Sequence, residues 1–200
     1  APVLDGVLTL ADLQIGEHVL DIGCGAGTST LRAADTVGPG GSALGADISK
    51  SLLALAQTRR TAAPNLSFQL ADAQTFAFAA DTIDCLISRF GVMFFEDSIA
   101  AFTNMARALR PAGRMAFATW GPIPDNPYFT MPARVIKQVF APMPKSDPDA
   151  PGPFAFRDRE KVKGILEDAG LVDVRAKETT FMLTPTGDVK TVAALLCEIG

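Results

Sequence analysis

Apolar residues recur at two different spacings between residues 16 and 120. Short, mostly apolar runs predict five strands, at 18–22, 42–46, 66–70, 83–88 and 114–119. Between them, amphipathic stretches predict helices at 28–37 and 50–62, and a third that begins at Asp97 or Ser98, includes Leu109 and ends before Pro111. Strands that alternate with helices are typical of an α/β fold, so the pattern predicts a doubly wound, mostly parallel sheet with helices on both faces.

The pattern changes after Trp120, because residues 121–153 are rich in proline. Proline lacks the backbone N–H that helices and strands use, so this segment is predicted to be an insertion after the fifth strand with one short helix at 133–140. A helix at 158–169, a strand at 172–183 and a helix at 189–199 are predicted to follow.

Composition limits the possible functions. A chain of 200 residues with 48% hydrophobic residues suits one domain. It has no apolar run long enough to span a membrane, and its first residues lack the pattern of a secretory signal. Its net charge of −4 without a basic cluster argues against nucleic acid. The cysteines, Cys24, Cys85 and Cys197, are odd in number and widely spaced, which fits neither a disulfide framework nor a zinc site. We expect a cytoplasmic protein without a metal.

A glycine-rich turn separates the first strand from the first helix, with Gly23, Gly25 and Gly27 at every second position. Backbone N–H groups in such a turn and at a helix N-terminus can meet a ligand closely. The dinucleotide pattern G-x-G-x-x-G is not matched, because Thr28 stands where its third glycine belongs. Asp21 in the preceding strand would repel a pyrophosphate and attract a cation, directly or through water. The turn is therefore expected to bind a positively charged ligand.

The segment VLDIGCGAG, residues 19–27, resembles the first motif of class I S-adenosylmethionine-dependent methyltransferases, in their small-molecule, type 11-like branch. This resemblance extends over residues 16–120 and implies a Rossmann-like fold with S-adenosylmethionine as cofactor and S-adenosylhomocysteine as product. The positions that it assigns to the cofactor are Asp21, Gly23, Cys24, Gly25, Gly27, Thr28, Asp47, Ile48, Asp72, Ala73, Gln74, Ser88, Arg89 and Phe90.

The resemblance also implies roles at the ends of the later strands. Asp47 would accept both ribose hydroxyls, with Ile48 against the adenine, and Asp72 would receive the adenine amine. The backbone of the segment Ser88-Arg89-Phe90-Gly91 would lie beside the methionine part. Each position also has a structural alternative, since Asp47 and Asp72 could be ordinary turn acids and Phe90 a core residue.

The chain departs from that family at its C-terminal end. These enzymes usually finish with an antiparallel seventh strand, which the sequence after 172–183 does not predict, so we expect a chain truncated at its C-terminus. The expected organisation is a single domain, residues 1–200, with a cofactor-binding core at 16–120, an acceptor-side insertion at 121–157 and a C-terminal part at 158–200.

The reaction implied is an in-line displacement, in which an acceptor atom attacks the sulfonium methyl group. Positioning can supply much of the catalysis, and a base is needed only if the acceptor must lose a proton. No catalytic residue is assigned. His18 lies at the start of the first strand, at the end away from the expected cofactor, and is expected to be structural. Tyr128, Asp125 and Glu96 are weak candidates for a base. The segment DNPYF, residues 125–129, resembles an amino-methyltransferase signature but follows the wrong strand.

The acceptor is predicted only as a class. Aromatic and methionine side chains are frequent after the fourth strand and in the insertion, where they could line an apolar pocket or form core. They are Phe90, Met93, Phe94, Phe95, Tyr128, Phe129, Met131, Phe140, Met143, Phe154 and Phe156. As a group they favour a small, hydrophobic molecule. Two rival functions stay open: a methyltransferase-like binding or regulatory module without turnover, and an NAD-dependent oxidoreductase.

Overall fold

The computed structural model describes residues 2–59, 64–139, 147, 149–182, 188 and 190. Five parallel strands form one sheet in the order β3-β2-β1-β4-β5. The strands are β1 (His18–Ile22), β2 (Ser42–Asp47), β3 (Leu66–Leu70), β4 (Ile83–Arg89) and β5 (Leu109–Ala118). The strand order reverses between β1 and β4, which is where doubly wound sheets bind ligands.

Six α-helices accompany these strands in the described residues. They are α1 (Pro2–Ala11), α2 (Thr28–Val37), α3 (Lys50–Arg59), α4 (Ser98–Ala106), α5 (Pro127–Val139) and α6 (Arg159–Asp168). One core, which includes Val7 and Ile87, joins the sheet to α1 and α2. The other, which includes Phe102 and Leu166, joins it to α4 and α6. The predicted α/β fold with helices on both faces is confirmed. No helix in the described parts of the chain is long and apolar enough to cross a membrane.

The ends of the helices follow from local chemistry. The Asp97 carboxylate accepts a hydrogen bond from the Ala100 N–H at 2.9 Å and so caps α4. The Ser49 hydroxyl accepts one from the Leu52 N–H at 3.3 Å at the start of α3. At the end of α2, Gly38 has a φ of 68°, and its N–H donates a hydrogen bond to the Ala34 carbonyl. The predicted starts of α3 and α4 and the predicted end of α2 are thus confirmed.

The predicted end of α4 is wrong. The helix stops at Ala106, and Leu109 is the first residue of β5, where it is aligned with Ile83 of β4. Leu109 follows Met105 by four residues, so the spacing continued the helical pattern by coincidence. The register shifts between Ile83, aligned with Leu109, and Cys85, aligned with Arg114, and this irregularity of β5 includes Ala112, whose φ is 64°.

The predicted helix 133–140 is too short, because α5 begins at Pro127. Proline is tolerated in the first helical turn, where no intrahelical N–H partner is needed. The Asn126 carbonyl accepts the N–H groups of Phe129 at 3.0 Å and Thr130 at 3.2 Å, which starts the helix. Pro132 lies inside α5, where its missing N–H was expected to prevent helix.

The predicted strand 172–183 does not form over residues 172–182, which the structure describes. Val172 is 83% exposed, and Asp173 has a φ of 55° that interrupts an extended run. The predicted helix 189–199 lies outside the described residues apart from Lys190, which is helical. Helix α1 was not predicted at all.

Candidate functional site

Glycine is required for different structural reasons at the three positions of the turn after β1. All have positive φ angles, 66° at Gly23, 55° at Gly25 and 81° at Gly27. A Cβ atom at Gly23 would lie 2.7 Å from the Gly91 Cα atom, and one at Gly27 would lie 2.7 Å from the Phe68 ring. At Gly25 the nearest atom would be 3.9 Å away. Only Gly25 therefore presents its backbone to open space, and the other two glycines make room for the protein itself.

Asp21 lies completely buried beneath this turn. Its Oδ2 atom accepts hydrogen bonds from the hydroxyls of Ser29 at 2.6 Å and Thr30 at 2.7 Å, whereas its buried Oδ1 atom has no hydrogen-bond partner among the residues that the structure describes. Burial raises the pKa of Asp21 to about 6, against the lowering effect of the two hydroxyls. The carboxylate thus anchors the first turn of α2. Both carboxylate oxygens are buried, so neither is exposed at the surface of the turn.

Cys24 and Thr28, at the glycine turn, differ in exposure to solvent. The Cys24 thiol is buried, and burial together with nearby carboxylates raises its pKa to about 12, so it stays protonated. The Cys24 N–H donates to the Ala46 carbonyl at 3.2 Å, which ties the turn to β2. Thr28 is exposed at the first position of α2, where no side chain caps the helix.

Asp47, at the end of β2, holds the open part of the turn. Its Oδ2 atom accepts the Gly25 N–H at 2.7 Å, and its Oδ1 atom accepts the Ser49 N–H at 2.8 Å. Each carboxylate oxygen has a further lone pair for a hydroxyl donor. Ile48 is 73% exposed, and Leu52, which sequence analysis missed, is 42% exposed and is the nearest neighbour of the open face of Gly25. Leu52 could have been found from its spacing, because it follows Ile48 by four residues and residues at that spacing share one face of a helix.

The segment after β3 contains Asp72, Ala73 and Gln74. Asp72 is exposed and accepts the Gln74 N–H at 2.9 Å. The Gln74 side-chain oxygen accepts the Asp97 N–H at 3.1 Å, so this residue joins the loop to α4. Ala73 is buried, and the Asn104 amide donates to its carbonyl at 3.0 Å. Asn104 was not singled out from the sequence, since nothing in the pattern of α4 marks it.

The end of β4 is locked onto the glycine turn. The buried Ser88 hydroxyl donates to the Ile22 carbonyl at 2.7 Å and accepts the Gly91 N–H at 3.2 Å. Phe90 has a φ of 66°, a strained conformation for a bulky side chain that is common at functional sites. The end of β4 is thus in contact with the glycine turn, through Ser88 on Ile22 and through the close approach of Gly91 to Gly23.

Aromatic side chains extend from the Phe90 ring. Phe90 stacks on Trp120 with ring centroids 4.4 Å apart, and Tyr128 lies parallel to Trp120 at 6.2 Å. Phe129 meets Trp120 edge-on at 5.0 Å and Phe154 at 4.8 Å. We call these five residues the aromatic wall. It joins the ends of β4 and β5 to the insertion.

The other apolar residues expected near the acceptor divide into core and surface. Met93 and Phe156 are buried, and Phe95 is partly buried. Phe94 and Met131 are 53% and 63% exposed. Phe140 and Met143 lie outside the described residues.

The weak candidates for a base are placed as follows. Glu96 and Asp125 are exposed, and Tyr128 is 49% exposed within the aromatic wall. His18 begins β1, at the opposite end of the strand from the glycine turn, and its Nδ1 atom is 2.7 Å from the Ser42 hydroxyl. Within DNPYF, the Asn126 amide donates to the Pro122 carbonyl at 2.8 Å before α5, which is a structural role.

The chain is similar to known methyltransferases. Residues 19–113 match a family described as a methyltransferase domain. The chain is 30% identical over 181 residues to the ubiquinone/menaquinone biosynthesis C-methyltransferase UbiE of Cellvibrio japonicus, covering 84% of this chain and 72% of that protein. It is 34% identical over 125 residues to the nocamycin O-methyltransferase of Saccharothrix syringae, covering 62% of this chain.

A solved structure also resembles this chain. The S-adenosylmethionine-dependent methyltransferase from Mesorhizobium loti superposes with a TM-score of 0.53 and 27% identity, covering 61% of this chain and 53% of that one. The chain spans 44% of the length of the nocamycin relative.

Proposed function

The chain belongs to the S-adenosylmethionine-dependent methyltransferase family, and from this premise we propose that it transfers a methyl group from S-adenosylmethionine to a small, hydrophobic molecule. S-adenosylmethionine supplies a methyl group already activated on a sulfonium. The protein's contribution is then to hold the acceptor in line with that methyl group and to exclude water.

The cofactor site that we propose is the edge formed by the turn after β1 and the ends of β2, β3 and β4. The open backbone of Gly25 and the unshared lone pairs of Asp47 suit a ribose, while the exposed side chains of Ile48 and Leu52 suit a flat base. The negative charge of Asp21 and Asp47 favours a cationic ligand over a pyrophosphate. These features support a phosphate-free nucleoside that carries positive charge.

The observation that carries the acceptor class is the position of Phe90. Its neighbour Gly91 packs against the glycine turn, and its own ring begins the aromatic wall. An acceptor seated on this wall would therefore lie beside the methionine end of the cofactor. Residues 16–120 would form the cofactor-binding core, residues 121–157 the acceptor side and residues 158–200 the C-terminal part.

The test is turnover with S-adenosylmethionine labelled in its methyl group and a panel of aromatic and aliphatic metabolites of differing polarity. We expect the label to pass to apolar acceptors, and a Trp120→Ala variant to lose transfer while it keeps calorimetric binding of S-adenosylhomocysteine. Binding of S-adenosylhomocysteine without transfer to any acceptor would favour a regulatory module. Quenching of NADH fluorescence on titration, without that binding, would favour an oxidoreductase.

A further inference from the structure

The loop after β3 is held by a side chain of α4. The Asn104 amide nitrogen donates to the Ala73 carbonyl at 3.0 Å and to the Phe76 carbonyl at 2.8 Å. An amide nitrogen carries two hydrogens, so this one side chain uses both of them on two carbonyls that are three residues apart in the chain. Asn104 thereby fixes both ends of the turn at residues 73–76 to α4.

This turn sets the direction of the Asp72 carboxylate. The Asp72 carbonyl accepts the N–H groups of Thr75 at 3.1 Å and Phe76 at 2.8 Å, and its Oδ1 atom accepts the Gln74 N–H at 2.9 Å. Asp72 is exposed and lies two residues after the end of β3, at the carboxyl edge of the sheet. A carboxylate has several lone pairs, so Asp72 can accept a donor from a ligand while the turn holds its direction.

Helix α4 gives this turn a firm support. Its residues Phe102 and Met105 are completely buried in the core. The Asp97 carboxylate caps the helix, and the Asp97 N–H donates to the Gln74 side-chain oxygen at 3.1 Å. The turn is therefore attached to α4 at two places, Asp97 and Asn104, and its position depends on both contacts.

Asn65 makes the same pair of hydrogen bonds at the other end of β3. Its amide nitrogen donates to the Ala34 carbonyl at 3.0 Å and to the Gly38 carbonyl at 2.8 Å, and the side chain is partly buried, like that of Asn104. Asn65 precedes β3, whereas the turn at Asp72 follows it. The two asparagines thus match in their donors and distances, but only Asn104 holds the ligand-binding edge.

We propose that Asn104 is a positioning residue for base recognition, which holds the turn so that the Asp72 carboxylate can accept the exocyclic amine of the adenine in S-adenosylmethionine. This inference rests on the proposed function. The Asn104 amide is engaged with two backbone carbonyls and acts on the ligand only through Asp72. Loss of the amide would take this donor from the Ala73 and Phe76 carbonyls and release the turn.

Calorimetric titration of the whole chain with S-adenosylhomocysteine and S-inosylhomocysteine tests this role. The second ligand has a carbonyl oxygen in place of the exocyclic amine, and a carboxylate accepts a hydrogen bond from an amine but not from a carbonyl. We expect the wild-type chain to prefer S-adenosylhomocysteine. In Asn104→Leu this preference should fall about tenfold, the size of one hydrogen bond to a charged group.

Asn65→Leu is the matched control, since it removes two hydrogen bonds of the same lengths. We expect the two leucine variants to lose similar unfolding free energy in urea, while Asn65→Leu keeps the wild-type preference between the ligands. If Asn104→Leu does not fold, Asn104→Ser and Asn65→Ser carry the same comparison, because they place no apolar group at these partly buried positions.

A further variant shows whether Asn104 acts through Asp72. Asp72→Ala removes the proposed acceptor at an exposed position, so it should abolish the preference for S-adenosylhomocysteine. When Asn104→Leu is added to Asp72→Ala, the preference should not change further, because the effects of two residues that act as one unit are not additive.

The role of Asn104 is wrong if Asn104→Leu keeps the wild-type preference, if Asn65→Leu loses it to the same extent, or if the effects of Asn104→Leu and Asp72→Ala add. A wild-type chain that binds both ligands equally would also contradict it. In each of these cases S-adenosylhomocysteine still binds, so the proposed function stands. A wild-type chain that binds neither ligand would overturn the proposed function together with this inference.

Discussion

At the scale of single residues, the glycine turn shows that the same residue type can be required for two different structural reasons. Gly23 and Gly27 are needed because neighbouring protein atoms fill the space of a side chain, whereas Gly25 leaves that space open beside Asp47. The sequence pattern treats the three alike. Only the positions of Gly91 and Phe68, which are distant in the chain, distinguish them.

This difference predicts opposite effects of two alanine substitutions. Gly23→Ala combines a left-handed backbone with a Cβ atom 2.7 Å from the Gly91 Cα atom, so we expect a loss of about 2–5 kcal/mol in the free energy of unfolding. Gly25→Ala carries the backbone cost alone, about 1–2 kcal/mol, but places a methyl group in the open space. Urea denaturation and calorimetry with S-adenosylhomocysteine measure the two effects.

Gly25→Ala should therefore weaken binding in a protein that is still folded. Gly16→Ala serves as the control, because Gly16 also has a positive φ, 89°, and open space for a Cβ atom, but it precedes β1 at the end opposite the glycine turn. Equal losses of stability in Gly23→Ala and Gly25→Ala, or unchanged affinity in Gly25→Ala, would show that the distinction between the two glycines is wrong.

At the scale of elements, the strands and helices whose signals are local could be predicted and those that depend on partners could not. The range of α2 was predicted to the residue because a glycine turn precedes it and Gly38 ends it. The segment 172–182 has the composition of a strand, but a strand forms only where another strand lies beside it. The spacing of Leu109 fitted the helix, yet its alignment with Ile83 places it in β5.

Helix α1 illustrates the same limit. Arg114, more than a hundred residues away, binds its last turn: Nε donates to the Ala11 carbonyl at 2.6 Å and Nη2 to the Asp12 carbonyl at 2.9 Å. The same guanidinium holds Glu17 with two hydrogen bonds of 2.7 and 2.8 Å. The pairing lowers the pKa of Glu17 and raises that of Arg114. Sequence alone does not reveal these contacts of Arg114, because two of the acceptors are backbone carbonyls and the third, Glu17, is distant in the chain.

Removal of the Arg114 guanidinium should destabilise the packing of α1. We expect Arg114→Met to lower the free energy of unfolding by about 2–3 kcal/mol, since it removes the donor to the Ala11 carbonyl and the charged partner of the largely buried Glu17 carboxylate, which keeps only the Gln14 N–H. Amide hydrogen exchange of α1 should rise at the same time. Arg32→Met is the matched control, because Arg32 also reaches α1, at Asp5, but through a half-exposed pair worth less than about 1 kcal/mol. Equal effects of the two variants on unfolding free energy and hydrogen exchange would contradict this role of Arg114.

At the scale of the whole molecule, the position of the site was predictable and its composition only in part. The turn after β1 and the ends of β2 to β4 were expected to meet, because parallel strands bring their carboxyl ends to one edge. The aromatic wall needed the fold, since Trp120 and Phe154 come from segments whose relation to β4 no local pattern gives. The buried state of Asp21 was also hidden, because an acid within a strand is compatible with either face of the sheet.

That burial predicts how the stability of the whole molecule depends on pH. The pKa of Asp21 is raised to about 6 in the folded chain, against about 3.9 for an unfolded one, so the folded state binds more protons between these values. Stability from protonated Asp21 is therefore fully present below about pH 4 and is lost as the pH rises through about 6. Glu17 and Asp84, whose pKa values are lowered, act in the opposite direction.

Comparison with Asp21→Asn isolates this contribution, because the other groups titrate alike in both proteins. Asparagine keeps an oxygen for Ser29 and Thr30 but carries no charge. From about pH 7.5 to about pH 5, the wild-type chain should gain about 1 kcal/mol of unfolding free energy relative to the variant, measured by urea denaturation. A difference that is constant with pH, or that grows in favour of the variant as the pH falls, would show that Asp21 is not a buried acid with a raised pKa.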